Sequence, residues 1–315
     1  MGQFFHAVRV FGDHLAAVKW QFLAVALGIH LLKLFFRAIA WQTILRASYP
    51  ERPIRFWSTF GAYIAGVGVN SVVPARGGDL VKLYLIKHRI PDAKYATLTP
   101  TLVTETIFDF VVAGALIGWA MAIGVLPTHQ AYSRLPTVDW GFLIQHREVT
   151  AAVVLILLAA IVIGIFHFAE HGSEFRERLA LGFAILRQPR RFLAGVILPQ
   201  TISWLLRIAS LYYFLRAFGV HASVHNALLA QVVDSLATLF PATPGGAGTK
   251  QGLIVVLFRG EADAKSLLLA FSVGMNIALV VFNLVIGAIA LFAMARTLSL
   301  KRIRLARAQD DAATP

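Results

Sequence analysis

Glu105 and Asp109 stand one helical turn apart inside an apolar stretch running from Tyr95 to Gly124, so a helix there presents both carboxylates on one face. A charge at the centre of a membrane helix costs roughly 2.5–3.5 kcal/mol on insertion scales, and is therefore paired or put to use. Asp234 lies within a later apolar run, and Lys33 and Arg37 share a face of an early one. Arg76, Asp79 and Lys82 accompany a first Pro/Gly break, Asn70-Ser-Val-Val-Pro74-Ala-Arg76-Gly77-Gly78-Asp79; Lys250 accompanies a second, Phe240-Pro241-Ala-Thr-Pro244-Gly245-Gly246-Ala-Gly248-Thr-Lys250-Gln251. Two readings fit these charges. In one, cations and half-helix N-termini hold an anionic headgroup in a midplane cavity while carboxylates pair or carry protons. In the other, Arg76 or Lys82 neutralises Glu105 or Asp109 and stitches the bundle together. Lys33 is read as a side chain that snorkels to the interface.

Enzyme signals are weaker. His167-Phe-Ala-Glu170-His171 fits an H-x-x-E-H pattern, but a zinc site needs a third ligand, and only Glu174 and Glu177 lie nearby. The run from Gly245 to Gln251 lacks the G-K-[ST] ending of a P-loop, although its backbone amides could cradle a lipid phosphate. No G-x-S-x-G elbow is present, and His30 and His88 have no acidic partner at a diagnostic spacing. No catalytic residue, metal or cofactor is expected. Trp20, Trp41, Trp57, Trp119, Trp140 and Trp204 are read as interfacial anchors near span ends.

These residues must be positioned by a membrane bundle. Of the 315 residues, 58% are hydrophobic and 14% charged, against roughly 25% charged in soluble domains, and the mean hydropathy is +0.70. Short polar intervals leave no room for a sizeable soluble domain. With no cysteine there is no disulfide framework or thiolate nucleophile. The formal charge of +13 comes from Lys and Arg at the ends of apolar runs, a distribution suited to anionic lipid rather than nucleic acid.

A basic start with Arg9 and Lys19 leads into a first span near Phe22 to Leu45, which lacks a signal-peptide cleavage signature. Phe56 to Val73 stops at Pro74 and resumes as a short amphipathic helix from Asp79 to Ile86, a re-entrant hairpin. Further spans are expected at Tyr95 to Gly124, Thr150 to Phe168 and Phe192 to Phe218; Ala227 to Phe240 with Gly252 to Phe258 forms a second broken pair, and Lys265 to Ala295 closes the bundle.

Arg176, Arg178, Arg187, Arg190 and Arg191 fill one loop, and Lys301, Arg302, Arg304 and Arg307 the tail, which sets both on the cytoplasmic side. The interval from Leu126 to Glu148 carries only Arg134 and Arg147. The two hairpins then enter from opposite sides, and the N-terminus lies outside. Gly77-Gly78 matches Gly245-Gly246, Asp92-Ala93-Lys94 matches Asp263-Ala264-Lys265, and Glu105 and Asn276 fall at similar depth. The expectation is one all-α polytopic membrane domain over 1–315: an inverted repeat at about 22–124, a linker span and basic loop at about 125–191, a second repeat at about 192–295, and a basic tail from 296. Paired broken segments of this kind point to a substrate site between the repeats.

Arg37-x-x-x-Trp41, Asn70-x-x-x-Pro74-x-Arg76-x-Gly78-Asp79, the Glu105 to Asp109 pair and Pro244-Gly-Gly-x-Gly248 resemble the membrane domain of lysylphosphatidylglycerol synthases and their stand-alone, flippase-like relatives, from about Phe22 to Ala295. The resemblance implies a lipid-binding domain that in some members moves modified phospholipids or lipid-linked sugars. The cytosolic aminoacyl-transfer domain of the synthases has no counterpart here. Thr106 stands where the family pattern carries arginine and Gln251 where it carries glutamate, so both members of a cross-repeat ion pair are replaced. The family's additional leading span is also lacking, in keeping with an outward N-terminus.

The expected substrate site comprises Arg37, Asn70, Pro74, Arg76, Gly77, Gly78, Asp79, Lys82, Glu105, Asp109, Asp234, Pro244, Gly245, Gly246, Gly248, Lys250, Gln251 and Asn276. Arg76 and Lys250 are expected to hold phosphate. The expected activity is movement of an anionic phospholipid or lipid-linked precursor across the cell membrane. The alternatives are a membrane transferase using Glu105 or Asp109 as base, or a non-catalytic lipid-binding subunit. Expected partners are membrane lipids, with a second copy or a membrane enzyme as further candidates.

Overall fold

The computed structural model describes residues 17–73, 76–122, 173–239, 250–251, 253–254, 258 and 265–313. Among them the chain is helical, with no strands. In chain order the helices are α1 (Trp20–Ser48), α2 (Phe56–Asn70), α3 (Gly77–Lys87), α4 (Tyr95–Ala122), α5 (Ser173–Gly182), α6 (Pro189–Ala217), α7 (Val224–Leu239) and α8 (Lys265–Ala313). Segments of α1, α4, α6 and α8 are each long and apolar enough to cross a bilayer. The expected span at Thr150 to Phe168, the H-x-x-E-H pattern, Trp140 and most of the second Pro/Gly break lie outside the described residues.

Local sequence accounts for the helix ends. Rich in Leu and Ala, α1 stops just before Pro50, which can neither donate a backbone bond nor let the preceding residue stay helical. In α6 a π turn at Leu193–Ile197 precedes Pro199, whose missing N–H and bulky ring disturb the regular ladder at that turn. The closing helix runs past the expected end at Ala295 to Ala313, because its basic extension is made of good helix formers with neither Pro nor Gly.

Two large apolar clusters make the interior, beside a small third of Ala40, Ile44, Ala47, Ile185 and Val196. One joins the first turns of α1 (Leu23, Ala26) to α6, α7 and Phe271 of α8; the other joins the later turns of α1 (Leu34, Ala38, Trp41, Leu45) to α2 and α3. Between them, the stripe of α1 carrying His30, Lys33 and Arg37 forms a polar layer. The outer surface is the reverse of a soluble protein's. Val111 is 66% exposed and Ile289 64%, whereas Lys82 is only 5% and Glu105 3% exposed. An apolar exterior around buried charge suits lipid as the surrounding solvent.

Helices α1 and α6 run antiparallel: Lys19 N donates to Ala217 O at one end (2.9 Å), and Gly195 meets Thr43 towards the other. Likewise α2 runs antiparallel to α8, with Gly61 against Met294 and Gly68 against Gly287. The α2–α3 hairpin leaves and returns at one end of the bundle, where Arg52 pairs with Asp92 at 2.7 Å. Its two helices touch backbone to backbone. A Cβ on Gly78 would lie 2.0 Å from Gly66 O, so only glycine fits there.

Candidate functional site

Two polar chambers flank the tip of the α2–α3 hairpin, and Asn70 lines both. Its Oδ1 accepts from Gly78 N at 2.7 Å, tying the end of α2 to the first turn of α3, while its Nδ2 reaches Asp79 Oδ1 at 3.4 Å. Asp79 sits in the first turn of α3, where the helix dipole favours a carboxylate.

The first chamber, about 130 Å³, lies between α1, α2, α3 and α4. Arg37 is its centre. The guanidinium grips Asp109 with two bonds, NH1 to Oδ1 at 2.8 Å and NH2 to Oδ2 at 2.6 Å, and also donates to Glu105 Oε1 from NH2 at 2.8 Å. The other oxygen of Glu105 accepts from Lys82 Nζ at 2.8 Å. Tyr63 bridges the set, its hydroxyl accepting from Arg37 Nε at 2.6 Å and donating to Glu105 Oε1 at 2.7 Å. Lys82 Nζ also lies 3.9 Å from the Tyr63 ring centroid and 4.4 Å from that of Trp41, a cation–π seat for an ammonium out of water. Trp204 Nε1 completes Asp109 at 3.0 Å. Bidentate, charge-assisted bonds of this kind fix geometry as well as charge.

The second chamber, about 220 Å³, lies between α1, α6, α7, α8 and the short helical stretch beginning at Lys250. Asp234 of α7 accepts from both Arg207 and Lys250. His30 Nε2 meets Asn283 Oδ1 at 2.9 Å, and Lys33 Nζ lies 3.1 Å from His30 Nδ1. With the amide oxygen facing Nε2, that nitrogen carries the proton and Nδ1 accepts from Lys33. Asn276 lines the same chamber.

Arg37, Asn70, Arg76, Asp79, Lys82, Glu105 and Asp109 all line the first chamber; Asn70, Asp234, Lys250 and Asn276 line the second. Gly77 and Gly78 open α3, and Gln251 follows Lys250 in its helical stretch. Pro74, Pro244, Gly245, Gly246 and Gly248 lie outside the described residues. Arg76 is not the partner of a carboxylate in the hydrogen-bond network; it is exposed and reaches Thr106 Oγ1 at 3.4 Å, with a left-handed backbone at φ 58°. Thr106 thus faces the Arg76 guanidinium across the chamber.

Several expectations need correction. Lys33 does not snorkel outward: it points inward to His30 and the second chamber. His30 has no acidic partner, yet it is buried against Asn283. Trp41 and Trp204 are not interfacial anchors: Trp41 is fully buried with its Nε1 on Thr101 at 3.1 Å, and Trp204 holds Asp109. Trp20 and Trp57, at helix ends, are exposed as anchors should be. Arg207 and Tyr63 were missed. Arg207 was visible as a charge within an apolar span; Tyr63 gave no signal beyond one hydroxyl in a Gly-rich run. Among the described residues, no group of three His, Asp or Glu is arranged to hold a metal ion.

The family model described as the lysylphosphatidylglycerol synthase TM region matches residues 4–287. The chain belongs to that family. Among curated proteins it is similar to two UPF0104 membrane proteins of Methanothermobacter thermautotrophicus. One is 23% identical over 76% of this chain and 73% of the relative, the other 23% identical over 89% and 86%. A UPF0104 membrane protein of Methanocaldococcus jannaschii is 24% identical over 61% of this chain and 79% of the relative. No solved structure matches significantly. Of the motifs quoted above, Arg37, Asn70, Arg76, Asp79, Glu105 and Asp109 all line the first chamber.

Proposed function

We propose that this member of the lysylphosphatidylglycerol synthase TM family binds the headgroup of an anionic or lipid-linked lipid in its polar chambers and moves it across the bilayer without changing it chemically. The observation that carries this reading is the pair of polar chambers enclosed by helices whose outer faces are apolar. A purely structural ion pair needs no cavity beside it. A lipid in transit needs polar groups inside for its headgroup and apolar surface outside for its chains.

The mechanism follows the two broken pairs. Read as an inverted repeat, α2–α3 enters from the end where α8 exits, and α7 with the stretch after Lys250 enters from the other. Rocking one unit against the other would expose the headgroup path to each side in turn. The Gly66–Gly78 and Gly68–Gly287 contacts let helices slide on backbone without side chains between them. Arg46, Arg52, Arg55, Arg190 and Arg191 gather at the end where α8 leaves the bundle, which favours that end, and the C-terminus, as cytoplasmic in the cell membrane.

The transferase alternative asks Glu105 or Asp109 to act as a base. Both already accept from Arg37, and Glu105 from Lys82 too, which weakens either as a proton acceptor. Reconstituting the purified chain in vesicles with labelled lipids separates the readings. Movement of an unaltered lipid supports the transporter, a new lipid product supports the transferase, and a bound lipid that neither moves nor changes supports a lipid-binding subunit.

A further inference from the structure

We propose that the second chamber is the seat of a headgroup carrying two negative charges, a terminal phosphate or diphosphate held by Lys33, Arg207 and Lys250. This rests on the lipid-transport reading and narrows its substrate class. The first chamber is balanced: Arg37, Arg76 and Lys82 face Asp79, Glu105 and Asp109. The second is not. Among the described residues that line it, Lys33, Arg207 and Lys250 face Asp234 alone. The break between α7 and Lys250, residues 240–249, contains no ionisable side chain that could make up the difference.

Setting the two halves side by side as a repeat locates the surplus. In the register that sets Gly77-Gly78 on Gly245-Gly246, Lys82 falls on Lys250; in the register that sets Asp92-Ala93-Lys94 on Asp263-Ala264-Lys265, Glu105 falls on Asn276 and Asp109 on Val280. Asn276 and Val280 both line the second chamber. In these registers a lysine meets a lysine, and both carboxylates meet uncharged groups. Asp234 engages Arg207 and Lys250 together, and among the described residues Lys33 has the His30 ring as its hydrogen-bond partner.

Surplus positive charge among packed helices, partly withdrawn from water, is costly unless something anionic joins it. A phosphomonoester supplies about −1.5 to −2 at neutral pH, which matches the deficit; a phosphodiester supplies one charge, and a headgroup bearing amines adds to the surplus. The volume of about 220 Å³ is well above the ~10–15 Å³ that lodges one water. Asn276 and Asn283 offer amide donors around the phosphate oxygens, and Arg207, stacked 5.1 Å from the Trp204 ring centroid, keeps a fixed fork for bidentate contact.

The test is direct binding to the purified full-length chain in detergent, with phosphatidic acid, phosphatidylglycerol and aminoacylated phosphatidylglycerol as probes and inorganic pyrophosphate as competitor. Phosphatidic acid is expected to bind about tenfold tighter than phosphatidylglycerol, or more, with the aminoacylated lipid weakest. Lys33→Met should reduce that ratio to about threefold or less. Asn276→Asp, which returns a carboxylate to the surplus, should do the same while raising the thermal midpoint, so a folding failure of the first variant leaves the test intact. Pyrophosphate competing as strongly as the lipid assigns the site to a soluble phosphate; weak competition assigns it to the lipid. Equal binding of the lipids, or an unchanged ratio in both variants, overturns the proposal. If phosphatidylglycerol still moves across vesicles under that result, only the substrate class falls; if no lipid binds or moves, the transport reading falls with it.

Discussion

Replacing Glu105 by Gln preserves the side chain's shape and leaves an amide oxygen for Arg37 and Tyr63, but removes the charge facing Lys82. Arg37 keeps its bidentate grip on Asp109. Lys82, 5% exposed and bonded to Glu105 at 2.8 Å, loses its hydrogen-bonded carboxylate and keeps only the longer-range attraction of Asp79. Removing one partner of a buried pair costs about 3–5 kcal/mol, and the Tyr63 and Trp41 rings, worth ~1–2 kcal/mol to a desolvated cation, offset part of it. The expected loss is about 3 kcal/mol, or ~6 °C in thermal midpoint at ~2 °C per kcal/mol for a chain of this size. Adding Lys82→Met to Glu105→Gln removes the ammonium itself, so the double variant should recover much of the loss, with a coupling energy of about 2 kcal/mol across the cycle. Thermal unfolding of the four proteins in one detergent measures it. Coupling near zero would refute the idea that this pair is an interdependent part of the chamber.

Gly78→Ala would set a Cβ 2.0 Å from Gly66 O and should abolish folded protein, as judged by monodispersity after extraction; Gly28→Ala, with open space around it, should hold or slightly raise the midpoint by removing a mid-helix glycine. Arg76→Gly relieves a left-handed backbone that costs a side-chain-bearing residue ~1 kcal/mol, so its midpoint should not fall, while lipid movement should drop about tenfold if the guanidinium meets the headgroup. Asp234→Asn leaves Arg207 and Lys250 without their shared carboxylate and should lower the midpoint by ~6–10 °C, from a loss of about 3–5 kcal/mol; a change within about 2 °C would show that the pair already has other compensation.

The membrane class and helix positions were legible because the hydrocarbon imposes one rule on every span, a long apolar run with little charge. The polar lining of the two chambers was legible for the same reason: Glu105, Asp109 and Asp234 stood out against that background, and Asn70 with Gly78 stood at a break. What the sequence hid was the sorting of partners. Lys82 and Arg37, forty-five residues apart, both reach Glu105, and nothing in spacing alone favours them over Arg76. Trp41 and Trp204 looked like anchors because indoles favour interfaces; only packing reveals that both face inward to polar partners. Lys33 was misread because a lone lysine in an apolar span usually sends its long stem towards the interface, whereas here, midway along α1, residues of α6 to α8 line a chamber beside it.

The proposed transport requires that water reach both polar chambers, from opposite sides of the membrane. The chain's lack of native cysteine makes single-cysteine accessibility the most direct measurement. Thr106→Cys in the first chamber and Asn276→Cys in the second should react with a membrane-impermeant thiol reagent from opposite sides of a sealed vesicle, while Ile107→Cys, on the outer apolar face at 51% exposure, should not react. Absence of labelling at Thr106→Cys and Asn276→Cys, or equal labelling at all three positions, would contradict the account.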